Sequence, residues 1–265
     1  MGKNTSLKQS FLILTNKTSL SLIQKYHKLF TATQNMGDTV VLYHLLGDNS
    51  NPNLEDVNTH IFDDEVLSSL NYFPLGFTLV PGSNHFPLLK FYLSHPHYDY
   101  YWCIEDDVEF SGDWKSFFED FSSIDTDFIS SHIRRYKEEP EWPWWPTLAH
   151  PYTVIPQEQR IRSFNPIYRI SRQALELLHK ALLSKWCGHH EVLIPTLLYE
   201  SGFSIQDFGG KGEFVPEGLE NKFYSENTPN KRGILSDGTM RWRPVFEKTG
   251  NLKNKLYHPV KITDE

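Results

Sequence analysis

Residues 99–109 read Asp-Tyr-Tyr-Trp-Cys-Ile-Glu-Asp-Asp-Val-Glu, an apolar run that ends in three consecutive acids. A short run of aromatic and β-branched residues is typical of a buried strand in an α/β sheet. Ligands bind beyond the carboxyl ends of such strands, so Glu105, Asp106 and Asp107 are expected to face a crevice. Adjacent carboxylates repel one another unless a cation compensates them. A solvated acidic turn is the competing interpretation.

Around this stretch, apolar segments of strand length alternate with segments of helical periodicity. This rhythm predicts an α/β fold with a Rossmann-like, mostly parallel central sheet, flanking helices and a loop-rich C-terminal part. Asn84 and Ser171 are predicted helix caps. Strands are predicted over residues 11–15, 39–45, 77–80, 100–104, 128–132 and 164–171, and helices over 19–32, 86–94, 112–121 and 172–185.

Composition narrows the class of protein. With 265 residues and 39% hydrophobic residues, the chain can bury one sizeable core, so one domain over residues 1–265 is predicted. A formal charge of −7 argues against general nucleic-acid binding and against anionic membranes, since both need clustered positive charge. No apolar run reaches the roughly 20 residues of a membrane span, and no glycine-rich phosphate loop occurs. The two cysteines, Cys103 and Cys187, lack zinc-ligand spacing, which fits a reducing, cytoplasmic compartment.

The segment Tyr-Trp-Cys-Ile-Glu-Asp-Asp-Val, residues 101–108, resembles the D-x-D region of GT-A-fold glycosyltransferases. In that family an acidic triplet holds Mn²⁺ or Mg²⁺ against the diphosphate of a nucleotide-sugar donor. The resemblance implies that Asp107 touches the metal, while Glu105 and Asp106 contact the ribose or sugar of the donor, with UDP-sugars favoured. Glu105 departs from the family pattern, in which the first acid is Asp.

The same resemblance assigns further donor contacts. Thr15, Asn16 and Lys17 follow the first predicted strand, where GT-A proteins contact the nucleotide. Arg134 follows the strand over residues 128–132 and could contact the donor phosphates or an acidic acceptor. A solvated basic turn is the alternative for that arginine.

A late histidine completes the metal site that the resemblance implies. Many GT-A enzymes take a ligand from near the C-terminus, and His258 fits that place. Lys261 would then reach a donor phosphate. An exposed tail histidine is the competing interpretation of His258.

Two segments point to the acceptor. Residues 138–156 interleave proline with tryptophan, which excludes regular helix and favours an acceptor-side wall or lid over a loop that only packs on its own domain. Glu191 opens an apolar helix, the place where inverting GT-A enzymes carry the general base. His189 or His190 could take that proton role instead. A zinc site over these three residues is disfavoured, because adjacent helical positions point in different directions.

Together these features predict an inverting, metal-dependent glycosyltransferase that moves a sugar from a nucleotide-sugar to a glycan or glycolipid acceptor. The resemblance implies bacterial polysaccharide or lipopolysaccharide synthesis, a cytoplasmic location and peripheral contact with a membrane. Residues 1–110 would form the nucleotide-sugar half, and residues 111–265 the acceptor half and C-terminal wrap. A retaining glycosyltransferase, a nucleotidyltransferase, a metal-dependent phosphohydrolase and a carbohydrate-binding protein remain alternatives.

Overall fold

The structure, a computed structural model, describes residues 7–47, 54–226 and 230–261. These ranges contain strands and α-helices in alternation, together with short 3-10 turns. In chain order the elements are β1 (Gln9–Thr15), α1 (Leu20–Thr33), β2 (Gly37–His44), β3 (Thr59–Phe62), α2 (Val66–Ser69), α3 (His85–Ser94), β4 (Tyr100–Glu105), β5 (Glu109–Phe110), α4 (Trp114–Ser122), β6 (Phe128–Arg135), β7 (Ile161–Ser171), α5 (Arg172–Leu183), α6 (His190–Glu200), β8 (Ile205–Asp207) and β9 (Leu256–Tyr257).

Seven strands form one sheet in the order β3-β2-β1-β4-β7-β6-β8. The strands β3, β2, β1 and β4 are mutually parallel. Strand β7 is antiparallel to both β4 and β6, and β8 is parallel to β6. All strands of the sheet except β7 therefore run in one direction. This mixed α/β architecture confirms the predicted fold class.

Helices cover both faces of the sheet, as alternation along the strands requires. On β1, Leu12 packs with the buried residues of α3, α5 and α6 on one face. Its neighbours Phe11 and Ile13 pack with those of α1 and α4 on the other face. The apolar residues in the middle of β1 thus alternate between two apolar layers, while its last residue, Thr15, is polar.

Two helices, α1 and α5, begin at a residue whose side chain caps the helix, whereas α3 does not. Ser19 caps α1 and accepts a hydrogen bond from the Leu22 N–H at 3.3 Å. Ser171 caps α5 and accepts from the Ala174 N–H at 3.1 Å. Asn84 precedes α3 but its side chain makes no capping bond. Its amide instead donates to Glu105 Oε1 at 3.3 Å, so the predicted capping role is wrong.

One predicted strand is also wrong. Residues 77–80 form turns rather than a strand, and Phe77 is fully exposed. The edge of the sheet beside β2 is occupied instead by β3, which the sequence analysis missed. Prolines at 74 and 81 bracket the turn segment and cannot donate to a strand ladder.

The C-terminal part wraps around the carboxyl edge of the sheet. Its strand β9 pairs with β5, which directly follows the acidic turn. The Val260 N–H then donates to the Asp107 carbonyl at 2.8 Å. These backbone bonds bring the chain end to the end of β4, although some 150 residues of sequence separate the two.

Candidate active site

The three acids after β4 point to different places. Glu105 is the last residue of β4 and stands opposite Leu14 of the parallel strand β1. Asp106 turns toward the end of β1, where Thr15 Oγ1 donates to it at 2.6 Å and Lys17 Nζ at 3.1 Å. Asp107 is buried and turns toward the C-terminal segment. The three carboxylates therefore point in different directions, which reduces the electrostatic repulsion between them.

His258 joins two of these acids. Its Nε2 lies 3.3 Å from Asp107 Oδ1 and 3.5 Å from Glu105 Oε2. Its Nδ1 lies 2.7 Å from the Arg241 carbonyl oxygen and donates to it, because a carbonyl can only accept. This bond directs Nε2 toward the carboxylates, as in histidines that bind metals.

The residues of this cluster fit a divalent cation. Ligand atoms of Glu105, Asp107 and His258 all lie within 4.8 Å of one another, and no other such group of potential ligands occurs in the described ranges. Asp107 Oδ1 is buried and lies 3.3 Å from His258 Nε2, but no described residue makes a well-aligned hydrogen bond to it. Two carboxylates and an imidazole suit cations of the Mn²⁺ and Mg²⁺ class. The structure thus places Glu105 beside Asp107 and His258, the two residues that the sequence predicts as metal ligands.

Charge pairing dominates the electrostatics of the cluster. Burial disfavours the ionised form of Asp107, but His258 and Lys261 outweigh it and hold its pKa well below the usual range. Burial likewise opposes the charge on His258, yet Asp107 and Glu105 raise its pKa to about 9. Lys261 pairs with Asp107 Oδ2 at 2.5 Å. The ammonium group of Lys261 therefore lies beside the cluster, and its contact with a donor phosphate stays a prediction.

Two cavities meet at the cluster. The smaller has a volume of 290 Å³ and the larger 680 Å³, and Asn84, Glu105, Asp107 and Lys261 line both. The smaller cavity is also lined by the three residues that follow or end β1, Thr15, Asn16 and Lys17, together with Asp106. The structure thus brings Thr15, Asn16, Lys17 and Asp106 to one side of the cluster of Glu105, Asp107 and His258.

Glu191 lies in the wall of the larger cavity, in the first turn of α6. Its Oε1 accepts a hydrogen bond from the Asn165 N–H at 3.3 Å. Burial raises the pKa of this carboxyl from 4.5 to about 7, against the opposing effect of Arg162. A carboxylate whose proton affinity matches neutral pH is suited to general base catalysis.

The neighbouring histidines are poorer bases. Burial lowers the pKa of His190 to about 3 and that of His189 to about 2. His189 Nδ1 accepts a hydrogen bond from the Glu191 N–H and so serves as the cap of α6. Both rings are therefore neutral at physiological pH, and an imidazole of such low pKa accepts a proton weakly. His190 lines the larger cavity. Its role in proton transfer stays a prediction.

Arg134 lies apart from the donor residues, which corrects its predicted contact with donor phosphates. Its guanidinium is buried, forms a hydrogen-bonded ion pair with Glu226, and lines neither of the two cavities. Burial opposes its charge, but Glu226 raises the arginine pKa further above its usual range. A phosphate contact would require breaking a buried ion pair, which is strongly unfavourable.

The tryptophan-rich segment contributes both to the core and to the site. Trp142 and Trp145 are buried in the hydrophobic core. Trp142 and Trp144 line the larger cavity, and the Trp144 ring stacks on His189 with centroids 4.9 Å apart. The segment therefore forms part of the wall of the larger cavity, and its contact with an acceptor stays a prediction. The larger cavity has further polar and aromatic lining residues that the sequence did not predict: Arg162, Arg232, Trp242 and Arg243.

No helix in the described part of the chain has the length and apolar character needed to cross a bilayer. No protein-family model matches the chain, and no curated protein matches it in sequence.

Solved structures with a similar fold share few residues with this chain. A Bacillus anthracis protein described as a glucose-1-phosphate thymidylyltransferase is 10% identical, with a TM-score of 0.40 over 77% of this chain and 88% of that one. The 4-diphosphocytidyl-2C-methyl-D-erythritol synthase from Anaerococcus prevotii is 7% identical, with a TM-score of 0.44 over 79% and 92%. The inositol-1-phosphate CTP transferase from T. maritima is 10% identical, with a TM-score of 0.39 over 80% and 91%. Similarity of this degree does not indicate what the chain acts on.

Proposed function

We propose that this protein is a metal-dependent glycosyltransferase that moves a sugar from a nucleotide diphosphate-sugar to a hydroxyl group of a glycan or glycolipid. The observation that carries this proposal is the meeting of two cavities at the cluster of Glu105, Asp107 and His258, with Glu191 in the wall of the larger one. In an inverting transfer the acceptor hydroxyl attacks the anomeric carbon of the donor from the side opposite the leaving diphosphate, and two cavities that share lining residues offer that geometry.

In this proposal the smaller cavity holds the nucleotide. Thr15, Asn16 and Lys17 line it and would contact base and ribose, while Asp106 keeps the ends of β1 and β4 together. Glu105, Asp107 and His258 would hold the cation, which neutralises the diphosphate as charge develops on the leaving group. The imidazole ligand favours Mn²⁺ over Mg²⁺, because Mg²⁺ prefers oxygen ligands. Residues 1–110 would thus form most of the donor half.

The larger cavity holds the acceptor. Glu191 would accept the proton of the attacking hydroxyl, and its raised pKa of about 7 gives it the proton affinity that this role requires. A single in-line displacement then inverts the anomeric centre. Residues 111–265 would contribute most of this acceptor half, together with the C-terminal segment that carries His258 and Lys261.

The second candidate is a nucleotidyltransferase, the class to which the names of similar solved structures point, although likeness of that degree does not decide between the two. Such an enzyme would take a nucleoside triphosphate and a sugar phosphate and release pyrophosphate. Against it stands the sequence after β1, which lacks the glycine-rich basic loop common in that class.

The deciding experiment is a calorimetric titration of UDP, GDP, CMP and their sugar conjugates, with Mn²⁺ or with EDTA. We expect one nucleotide class to bind only with the cation. Asp107→Asn should weaken that binding by more than the roughly 10- to 100-fold typical of changes outside the direct ligands. Asp125→Asn is the matched control, because Asp125 precedes β6 at the opposite end of the sheet.

Each alternative gives a different result. Pyrophosphate release from a nucleoside triphosphate and a sugar phosphate would identify a nucleotidyltransferase. Cleavage of a nucleotide-sugar without stimulation by any acceptor would identify a phosphohydrolase. Sugar binding that survives both EDTA and Asp107→Asn, with no nucleotide binding, would identify a carbohydrate-binding protein.

A further inference from the structure

The larger cavity has an uneven distribution of charge. Its lining carboxylates are Glu105, Asp107 and Glu191, which are the two cluster acids and the proposed base. Beyond these acids, His258 and Lys261, the charged lining residues are three arginines. The chain as a whole carries a formal charge of −7, so this concentration of cations is opposite to the average. Cations that are grouped on one part of a cavity wall attract an anion to that part.

Arg162, Arg232 and Arg243 together are called the arginine wall of the larger cavity. Arg162 is its buried part. Its side chain is 1% exposed and lies over the Trp142 ring, with the guanidinium carbon 4.4 Å from the ring centroid. Its Nη1 is 3.1 Å from Glu139 Oε2 and donates to the Gly233 carbonyl at 3.1 Å. Its Nε is buried and has no hydrogen-bond partner among the described residues. These contacts hold the Arg162 guanidinium in place, where it adds a positive charge to the cavity wall.

Arg232 and Arg243 form the exposed part of the arginine wall. Arg232 Nε lies 3.5 Å from Glu141 Oε2, and both of these side chains are largely exposed, so the pair contributes little. Within the described ranges Arg243 pairs with no carboxylate, and it adjoins Trp242, which is 62% exposed. Both arginines can therefore turn to an incoming anion at small cost.

These arginines belong to the acceptor side. Arg162, Arg232 and Arg243 line the larger cavity, and none of them lines the smaller one. The cations of the smaller cavity are Lys17 and Lys261, which are close to the place proposed for the donor diphosphate. The donor thus has its own positive charges, and the arginine wall faces a different ligand.

We infer that the acceptor is an anionic sugar, which carries a carboxylate or a phosphate that the arginine wall binds. This inference rests on the proposed function and names the class of its acceptor. Trp144 and Trp242 offer apolar faces to the sugar ring in the same cavity, while the acceptor hydroxyl is directed to Glu191. Charge complementarity of this kind selects the ligand as well as attracting it.

The test uses pairs of probes that differ only in charge. Methyl β-glucuronide is compared with methyl β-glucoside, and glucose 6-phosphate with glucose, by NMR titration of the full chain with Mg²⁺. We expect at least one anionic probe to bind about tenfold more tightly than its neutral partner, the size of effect expected for a charged hydrogen bond. The pair that shows this preference tells whether the anion is a carboxylate or a phosphate.

Variants then locate the preference. Arg232→Gln combined with Arg243→Gln should remove most of it, since only the buried Arg162 remains, while the binding of nucleotide stays unchanged. Arg172→Gln, which removes an exposed charge at the start of α5 outside both cavities, should change nothing.

Three results would overturn the inference: equal affinity for charged and neutral probes, no binding of any anionic probe, or a preference that survives the double substitution. Cosedimentation with phosphatidylglycerol vesicles that depends on the two arginines, without discrimination among soluble sugars, would assign the wall to a lipid surface instead. Failure of the proposed function gives a separate signature, since a protein that binds no nucleotide could still show the arginine-dependent preference.

Discussion

At the scale of single residues, Glu191 shows how burial converts an ordinary carboxyl group into a candidate base. Its side chain is 12% exposed and accepts one backbone hydrogen bond from Asn165. Desolvation outweighs the attraction of Arg162 and His258, so the pKa of the carboxyl rises to about 7. Burial disfavours the charge on the Glu191 carboxylate and therefore raises its affinity for a proton at neutral pH.

Replacing this carboxyl tests its role. Glu191→Gln should lower kcat by about a hundredfold to ten-thousandfold, the usual contribution of a general base, and leave nucleotide binding unchanged. In the unmodified protein kcat should rise with pH up to about 7, because the base must be ionised. The measurement is a pH profile of sugar transfer for both proteins.

Stability provides the control for the same substitution. A carboxyl whose folded pKa is raised contributes most below its unfolded pKa of about 4.5, and the contribution is lost as pH rises through about 7. The glutamine does not titrate, so Glu191→Gln should be more stable than the original protein above pH 7, by about 1–3 kcal/mol. Lower stability together with the activity loss would indicate a structural role instead.

At the scale of elements, the site depends on how α6 is attached to β7. Thr196 lies on the buried side of α6, where its Oγ1 accepts from the Ile161 N–H at 3.0 Å and donates to the Ile161 carbonyl at 2.9 Å. One hydroxyl thus satisfies both polar groups at the start of β7. This attachment determines where the first turn of α6 presents Glu191.

Removing that hydroxyl should loosen the attachment. Thr196→Val keeps the shape but leaves the Ile161 N–H and carbonyl without partners in a buried place, which costs about 1–3 kcal/mol of unfolding free energy. Urea denaturation measures the change. Thr31→Val is the control, because Thr31 is an exposed residue of α1 whose hydroxyl bonds only the His27 carbonyl, and it should shift stability by less than about 0.5 kcal/mol. Equal effects of the two substitutions would contradict this account.

At the scale of the whole molecule, a buried polar network ties the C-terminal part to β6. Arg134 and His132 of β6 both pair with Glu226. The distance from His132 Nδ1 to Glu226 Oε2 is 3.3 Å. The Tyr224 hydroxyl donates to Asp207 at 2.9 Å. Burial disfavours the charge on Glu226, but the two basic side chains lower its pKa to about 2. The network is therefore ionic and fully inside the fold.

Breaking this network should affect folding rather than donor binding. Arg134→Gln leaves the Glu226 carboxylate buried without its guanidinium partner, so the unfolding free energy should fall by about 3–5 kcal/mol, while the nucleotide affinity of the folded protein stays the same. Its neighbour offers a matched control: Arg135 pairs with Glu213 near the surface, and Arg135→Gln should cost about 1 kcal/mol or less. Loss of nucleotide binding without loss of stability would restore the phosphate role first predicted for Arg134.

Much of the fold follows from local sequence. The apolar runs of β1, β2, β4, β6 and β7 and the caps Ser19 and Ser171 are visible in the sequence, because strand and helix periodicity and capping are short-range effects. The acidic run at 105–107 was also recognisable, as was its position after a strand. The short edge strand β3 was missed because four residues carry too little pattern to outweigh the neighbouring apolar run at 77–80.

The sequence by itself therefore determined the α/β class, the position of the acidic motif and the helix that presents Glu191. Only the tertiary structure decided which acids meet His258, that Asp106 binds the end of β1 instead, and that Arg134 is committed to Glu226. It also assembled the arginine wall from β7 and the C-terminal part. The physical reason is that periodicity reports which face of an element is buried, whereas ion pairs and metal ligands depend on the distances between atoms far apart in the chain.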